Sequence, residues 1–195
     1  MPIQFQTWGY IVAAAMTLAP APPATAGPIA DKAAQAEALL DKGDAAGALD
    51  LLGEATAIAW QAAPLIIRKA LFVEESSGYG IYVERPTPAI YKPGEKIRAY
   101  VEPLGFGYGR NAVGGKEIGF DVDFRLTDPD GKELFSRDNF VEVGSPVRYD
   151  NREFNLSIAV DLSGLPQGDY IAHFLLRDQN SDKSAGFELP FSVRE

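Results

Sequence analysis

The chain has 195 residues and a formal net charge of −9, with no cysteine and a single histidine, His173. A negative chain repels nucleic-acid phosphates and anionic lipid headgroups, so we expect neither as a main partner. The lack of cysteine excludes thiol catalysis, disulfides and cysteine-ligated metals, and one histidine excludes sites that need several. We therefore expect no cofactor and no bound metal.

Residues 1–26 have the pattern of a secretory signal peptide. An apolar run from Tyr10 to Ala19 is followed by Ala24-Thr25-Ala26, a cleavage motif of small residues. The run is too short to span a bilayer, although no Lys or Arg precedes it, which leaves a membrane anchor as the alternative. We expect cleavage before Gly27, a periplasmic or secreted protein, and no membrane span after cleavage.

Residues 27–76 show a helical pattern rich in alanine and leucine. The spacing predicts a first helix over residues 30–42, and Asp44 is placed to cap a second helix. Further apolar residues suggest a third, shorter helix over residues 66–73. Residues 42–49 resemble the turn of a tetratricopeptide repeat, but the repeat does not recur, so we favour a packed helical hairpin over a peptide-binding repeat.

Residues 79–195 show a period of two, which is typical of antiparallel strands with one face on a core. The alternation is cleanest in residues 118–127, 154–162 and 185–193. Weaker strands are expected at residues 81–84, 97–102, 133–136, 140–143 and 170–177. Asp128-Pro129-Asp130-Gly131 predicts a hairpin, and Pro190 marks a sheet edge or a bulge. This number of short strands predicts a β-sandwich.

The turn chemistry of this region resembles that of a known family. Residues 165–170, with the two strands that follow them, resemble the closing hairpin of immunoglobulin-like and fibronectin-like modules in bacterial secreted proteins. Residues 92–97 are similar to an early strand of the same modules. Residues 79–195 also resemble exported α-proteobacterial proteins of uncharacterised function. The resemblance implies an immunoglobulin-like fold and no catalytic residues, because turn motifs specify fold rather than activity.

The least ordinary stretch is residues 102–115, which contain five glycines and two aromatic residues. Long loops in compact domains are often functional, and Phe106, Tyr108 and Arg110 are residue types that carry binding energy at interfaces. The alternative is that Phe106 and Tyr108 fold back as core. Tyr100 and Glu102 are expected to point outward from a neighbouring strand, which adds them to the candidate binding residues.

Three other features favour structural roles over chemistry. Residues 178–182 have the spacing that opens a calcium loop but lack its later glycine and glutamate, so a polar turn is favoured. Asp121 and Asp123 are expected on a solvated sheet face rather than in an acid–base pair. His173 has no serine partner in a recognisable motif, so we expect it to be packed or hydrogen-bonded.

The expected fold is α+β, with an N-terminal α-helical hairpin in residues 27–76 and an antiparallel immunoglobulin-like β-sandwich in residues 79–195. The expected function is non-enzymatic: a periplasmic binding or scaffold module whose partner is another periplasmic or envelope protein. The alternative is a glycan-binding module, in which exposed aromatic residues form a platform. That platform would contain Tyr79, Tyr82, Tyr100, Phe106 and Tyr108. A hydrolase is the third alternative.

Overall fold

The computed structural model describes residues 27–195, so the expected signal peptide lies outside the described residues. Two helices come first, α1 (Pro28–Leu40) and α2 (Ala45–Ala62). Ten strands follow: β1 (Ile66–Gly78), β2 (Ile81–Glu84), β3 (Ile90–Tyr91), β4 (Lys96–Leu104), β5 (Gly109–Arg110), β6 (Lys116–Thr127), β7 (Glu133–Val147), β8 (Leu156–Asp161), β9 (Gly168–Asp178) and β10 (Ser184–Val193).

The two helices form the predicted pair. Gly43 follows α1 with φ of 80°, a conformation that glycine adopts without strain, and it reverses the chain. The carboxylate of Asp44 accepts a hydrogen bond of 3.0 Å from the amide of Gly47, which confirms the predicted cap. The buried residues of the pair are Ala36, Ala48 and Ala55, whose small side chains let the helices approach closely.

The third helix that we expected over residues 66–73 is wrong, because this segment belongs to β1. It pairs antiparallel with β4, from Ile66 opposite Leu104 to Phe72 opposite Ala99. A register shift between Ile67 and Lys69 adds a residue to the strand, so its apolar side chains recur at irregular intervals. The irregular spacing imitates a helical period, and pairing with β4 decides the conformation.

The strands form two sheets, which are antiparallel apart from the short β3–β10 pair. One sheet has the order β2-β1-β4-β8. The other has the order β3-β10-β9-β6-β5, and β7 pairs with β6. The expectation of helices followed by an antiparallel two-sheet region is confirmed at this level of detail.

Alternating residues of both sheets meet in a shared hydrophobic core. In β6 the core residues are Ile118, Phe120, Val122, Phe124 and Leu126, as the alternation predicted. From the other sheet, Leu156, Ile158 and Val160 of β8 are buried against them. Burial of these side chains, at about 1.5–3 kcal/mol each, is the main force that holds the sheets together.

The strand β7 forms an edge of its sheet, since it pairs only with β6 among the described residues. It joins the two short strands expected at residues 133–136 and 140–143, and the predicted turn at Gly131 precedes it. A register irregularity interrupts the strand opposite Asp123, where Asn139 has a φ of 48°. The edge at Pro190 is confirmed as well, because among residues 27–195 the partner of β10 on that side is β3, which pairs with Ser192 and Val193.

A cationic cleft between the helices and the sheets

The five predicted binding residues lie in two separate places. Phe106, Tyr108 and Arg110 line one cleft at the junction of α2 with the two-sheet region. Tyr100 and Glu102 lie on the outer face of the four-stranded sheet, away from that cleft. The prediction therefore joined five residues into one site, whereas the fold places three of them in the cleft and two on another surface.

The segment after β4 has more regular structure than the long loop we expected. Gly105 has φ of 78° beside the backbone of Pro64, so the chain turns where it meets the end of the helical pair. The strand β5 then pairs with the start of β6, with Gly109 opposite Glu117. The turn between them is closed by Asn111, whose side-chain oxygen accepts hydrogen bonds from the amides of Val113 and Gly115.

Phe106 is part of the core, so the alternative in which its ring folds back is confirmed and it is not an exposed anchor. Its side chain is 1% exposed and packs edge-to-face against Trp60, at 5.0 Å between ring centroids, and against Phe120 at 5.8 Å. The indole of Trp60 also donates a hydrogen bond of 2.7 Å to the carbonyl of Phe106. Phe106 thus joins α2 to the sheets, because burying a phenyl ring is more favourable than leaving it in water.

The cleft has a volume of about 500 Å³. Its walls come from four stretches of chain that lie far apart in sequence. The lining residues outside the glycines are Ala57, Trp60, Gln61, Phe106, Tyr108, Arg110, Lys116, Asp150, Arg152, Ser181 and Lys183. The rings of Trp60 and Tyr108 are half-buried there, so the cleft has both apolar and charged walls.

Four cationic side chains and one carboxylate line this cleft, in a chain whose net charge is −9. Lys116 pairs with the carboxylate, Asp150. The other three donate to neutral carbonyl oxygens: Arg152 to Gly53 at 3.0 Å, Lys183 to Gly105 at 2.7 Å, and Arg110 to Gly114 at 3.3 Å. These bonds fix the head groups without neutralising them, so the cleft is positive.

Tyr108 lies at the mouth of the cleft, and its hydroxyl donates a hydrogen bond of 3.1 Å to the carbonyl of Asn151. The ammonium group of Lys116 lies 5.4 Å from the centre of its ring, within the range of a cation–π contact. Burial, and to a smaller extent the charge of Asp150, raises the pKa of Tyr108 to about 12. Its hydroxyl is therefore neutral and acts as a hydrogen-bond donor at physiological pH.

Tyr100 and Glu102 lie on the outer face of their sheet, as expected, but the prediction that they are exposed there is wrong, because both are covered. The turn between β1 and β2 folds over them: the amide of Gly80 donates to the Tyr100 hydroxyl at 2.7 Å, and the ring of Tyr82 lies 4.5 Å from that of Tyr100. The exposed fractions are 0% for Tyr100 and 2% for Glu102. We call Arg68, Lys69, Tyr79, Tyr82, Tyr100 and Glu102 the tyrosine cluster.

In the tyrosine cluster, Glu102 neutralises the neighbouring cation. It accepts hydrogen bonds from the guanidinium of Arg68, at 3.1 Å from Nε, and from Tyr100 at 2.8 Å. Burial alone would raise the pKa of Glu102, but these hydrogen bonds and the charges of Arg68 and Lys69 outweigh it and lower the pKa. Tyr100 and Glu102 are buried within the cluster while Arg68 and Lys69 stay exposed, and a buried Tyr100 does not suit the aromatic platform expected for glycans.

Sequence reasoning missed Trp60, Lys116, Arg152 and Lys183. Trp60 belongs to α2 and Lys116 to β6, while Arg152 precedes β8 and Lys183 precedes β10. None of them has a neighbour in sequence that would mark it as part of a binding site. No local motif marks them, since only packing of α2 against the β5–β6 region brings them together. Composition gave one indirect signal: a tryptophan at the end of an alanine-rich helix needs a partner for its N–H group.

The remaining candidates have structural partners. Arg177 donates to Asp123 at 2.8 Å and 3.0 Å and lies 3.9 Å from Asp121, and its hydrogen bond lowers the pKa of Asp123. His173 lies 3.0 Å from the hydroxyl of Thr127, and burial, together with the charge of Arg125, lowers its pKa. These groups bind one another on the outer face of the six-stranded sheet.

The calcium-like segment is the turn between β9 and β10, as expected. The Asp178 carboxylate accepts hydrogen bonds from the amide of Gly107 at 2.6 Å and from the Ser181 hydroxyl at 2.6 Å, so it ties this turn to the cleft.

Within residues 27–195, His, Asp and Glu side chains form no cluster of three suited to a metal ion. In the same residues, neither helix has the length and hydropathy needed to cross a bilayer. Neither a protein-family model nor a curated protein sequence matches the chain.

Proposed function

We propose that this protein is a non-enzymatic binding module of the periplasm or the secreted fraction, which engages a partner protein through the cationic cleft. In this proposal the two sheets are an immunoglobulin-like β-sandwich that serves as a rigid support. The observation that carries the proposal is the cleft itself, which is lined by Tyr108, Arg110 and three more cations. Arginine and aromatic residues that surround one concave site are typical of protein-binding surfaces.

The position of the cleft also supports a binding role. One wall is the end of α2 and the other is the β5–β6 hairpin, and the two walls are joined by Trp60, Arg152 and Lys183. Sites built between rigid elements keep their geometry before a ligand arrives, which lowers the entropic cost of binding. On the outer face of the six-stranded sheet, Asp121 and Asp123 are already paired with Arg177, so these two carboxylates have less to offer a ligand.

Site-specific photocrosslinking tests the proposal. A photoreactive amino acid is placed at Ala57, in the cleft wall, and in a second variant at Ile90, which is exposed in β3. The full chain is exposed to envelope extract, and crosslinked proteins are identified by mass spectrometry. The proposal expects one defined protein to crosslink from position 57 and not from position 90.

A matched pair of charge variants controls for electrostatic adhesion. Arg110→Gln with Lys116→Gln removes two cations from the cleft, whereas Lys92→Gln with Arg98→Gln removes two exposed cations near the start of β4. Arg98 resembles Arg110 because it also donates to a backbone carbonyl, that of Glu74. Equal crosslinking by both variants would contradict the proposal, and retention on a glycan array with no protein captured would favour the glycan alternative.

A further inference from the structure

We infer that the cationic cleft recognises an extended, carboxylate-rich segment of a partner polypeptide; this inference rests on the proposed function. The positive charge of the cleft favours an acidic ligand. Of the four cations, only Lys116 has a carboxylate partner among the described residues, and Arg110, Arg152 and Lys183 bond to neutral carbonyl oxygens. Carboxylates are the complementary protein groups, and charge-assisted hydrogen bonds to them are stronger than neutral ones.

The volume of the cleft favours a ligand larger than a single ion. A volume of about 500 Å³ lies in the range of sites that hold organic ligands of several hundred daltons, and it exceeds what a single small anion requires. The cations come from separate walls, since Arg110 and Lys116 lie on the β5–β6 hairpin and Arg152 bonds to the opposite helix α2. Such an arrangement suits several carboxylates spread along a ligand better than one phosphate group.

The open edge of β5 favours a ligand with an extended peptide backbone. The strand β5, Gly109–Arg110, pairs with β6 along one edge, and within residues 27–195 no strand pairs with its other edge. An extended peptide can add to an open strand edge through main-chain hydrogen bonds, and its alternate side chains then point to opposite sides. Tyr108 and Arg110 are two residues apart and Lys116 lies opposite Arg110, so aromatic and cationic side chains share the face that lines the cleft and would meet the same set of ligand side chains.

Asp150 has a specific part in this inference. It pairs with Lys116 at the cleft and is half-exposed, so it occupies a cation that a ligand carboxylate would otherwise use. An internal carboxylate of this kind competes with acidic ligands and sets a lower limit on the charge that a ligand needs in order to bind. Replacing it with a neutral isostere should therefore strengthen binding of acidic peptides and leave the fold intact.

Fluorescence anisotropy with synthetic peptides tests the inference on the full chain. The probe is a labelled octapeptide of alternating Glu and Val, and the reference is an octapeptide of alternating Lys and Val. We expect only the acidic peptide to bind, with affinity falling about tenfold or more in the Arg110→Gln/Lys116→Gln variant and unchanged in Lys92→Gln/Arg98→Gln. Asp150→Asn should tighten binding about two- to fivefold, and added salt should weaken it.

Two further probes separate the alternatives. An acidic octapeptide with alternate backbone nitrogens methylated keeps its charge but loses main-chain donors, so strand addition predicts about tenfold weaker binding. An oligogalacturonate probe carries carboxylates on a sugar backbone, and tighter binding of this probe than of the peptide would overturn the inference in favour of an anionic glycan. Lack of acidic-peptide binding at millimolar concentration, or equal binding by both charge variants, would also overturn it.

The outcomes distinguish this inference from the proposed function. If a partner crosslinks at position 57 and the acidic peptide does not bind, the cleft is a protein-binding site of different chemistry, and only the inference fails. If the peptide binds the wild type and the Asp150→Asn variant as expected, and no protein crosslinks, the ligand chemistry holds and the proposed protein partner fails. If neither is observed, both fail.

Discussion

Two regions of this molecule combine aromatic rings with arginine and lysine, and they differ in how the positive charge is balanced. In the tyrosine cluster, Arg68 bonds to Glu102, which is buried beneath the β1–β2 turn. In the cationic cleft, Arg110, Arg152 and Lys183 bond to backbone carbonyls, which carry no net charge. Similar residue types therefore give an arginine paired with a buried carboxylate in one place and a cleft with three cations on neutral acceptors in the other.

Residue type alone therefore does not identify a binding site. A cation paired with a buried carboxylate contributes to the fold, because separating the pair leaves a desolvated charge without a partner. A cation held by carbonyl oxygens has a fixed position and can still attract an anion from outside. Substitutions in the two regions test this difference, and the largest effect is expected at Phe106, which was a candidate binding residue and is buried in the core.

Phe106→Ala should destabilise the protein more than Glu102→Gln, Arg68→Ala or Arg110→Ala. The ring is fully buried between Trp60 of α2 and Phe120 of β6, so its removal leaves a cavity at the joint between the helices and the sheets. We expect a loss of about 3–5 kcal/mol in the free energy of unfolding and a fall in Tm of roughly 10 °C. Thermal denaturation followed by circular dichroism measures it, and an unchanged Tm would show that Phe106 is not part of the core.

Glu102→Gln should cost about 2 kcal/mol at neutral pH, because the charged acceptor of the Arg68 and Tyr100 hydrogen bonds is lost. The pKa of Glu102 in the folded protein is lower than its ordinary value of 4.5, so the unfolded carboxylate takes up its proton first as pH falls. Its contribution is therefore complete well above pH 4.5 and is lost as pH falls below that value. Urea denaturation of both proteins at several pH values checks this; a difference that grows on acidification contradicts it.

Arg68→Ala and Arg110→Ala should separate the two regions most directly, although both effects are smaller. Arg68→Ala deprives a buried carboxylate of its partner, so its Tm should fall clearly. Arg110 is exposed and bonds only within its own turn, so Arg110→Ala should keep Tm within about 2 °C of the wild type. Parallel thermal scans measure both. A larger loss for Arg110→Ala than for Arg68→Ala would reverse the assignment of the two regions.

Much of the fold was predictable where a strand has one face on the core and one in water. The alternation in β6 and β8 predicted the buried residues correctly, since both strands follow a strict period of two. The strand β1 was mistaken for a helix because a register shift breaks that period. Cap and turn residues such as Asp44 and Gly131 were also readable, because their chemistry acts over only a few residues.

The site was only partly predictable. Local composition led to Tyr108 and Arg110, since a glycine-rich segment with aromatic and basic residues is unusual in itself. It could not identify Arg152 or Lys183, which reach the cleft only after α2 packs against the sheets. Nor could alternation show that Glu102 is covered, because the cover comes from a turn about 20 residues earlier in the chain.

The irregular edge strand β7 has a consequence for the protein at high concentration. A strand of 15 residues with one open edge is a template on which another chain can polymerise. Here the irregularity at Asn139 interrupts the repeating backbone pattern, and the charged side chains of Arg137, Asp138 and Glu142 follow the same strand. Pro146 removes one more backbone donor near the end of the strand. Each of these features opposes the pairing of this edge with a second chain.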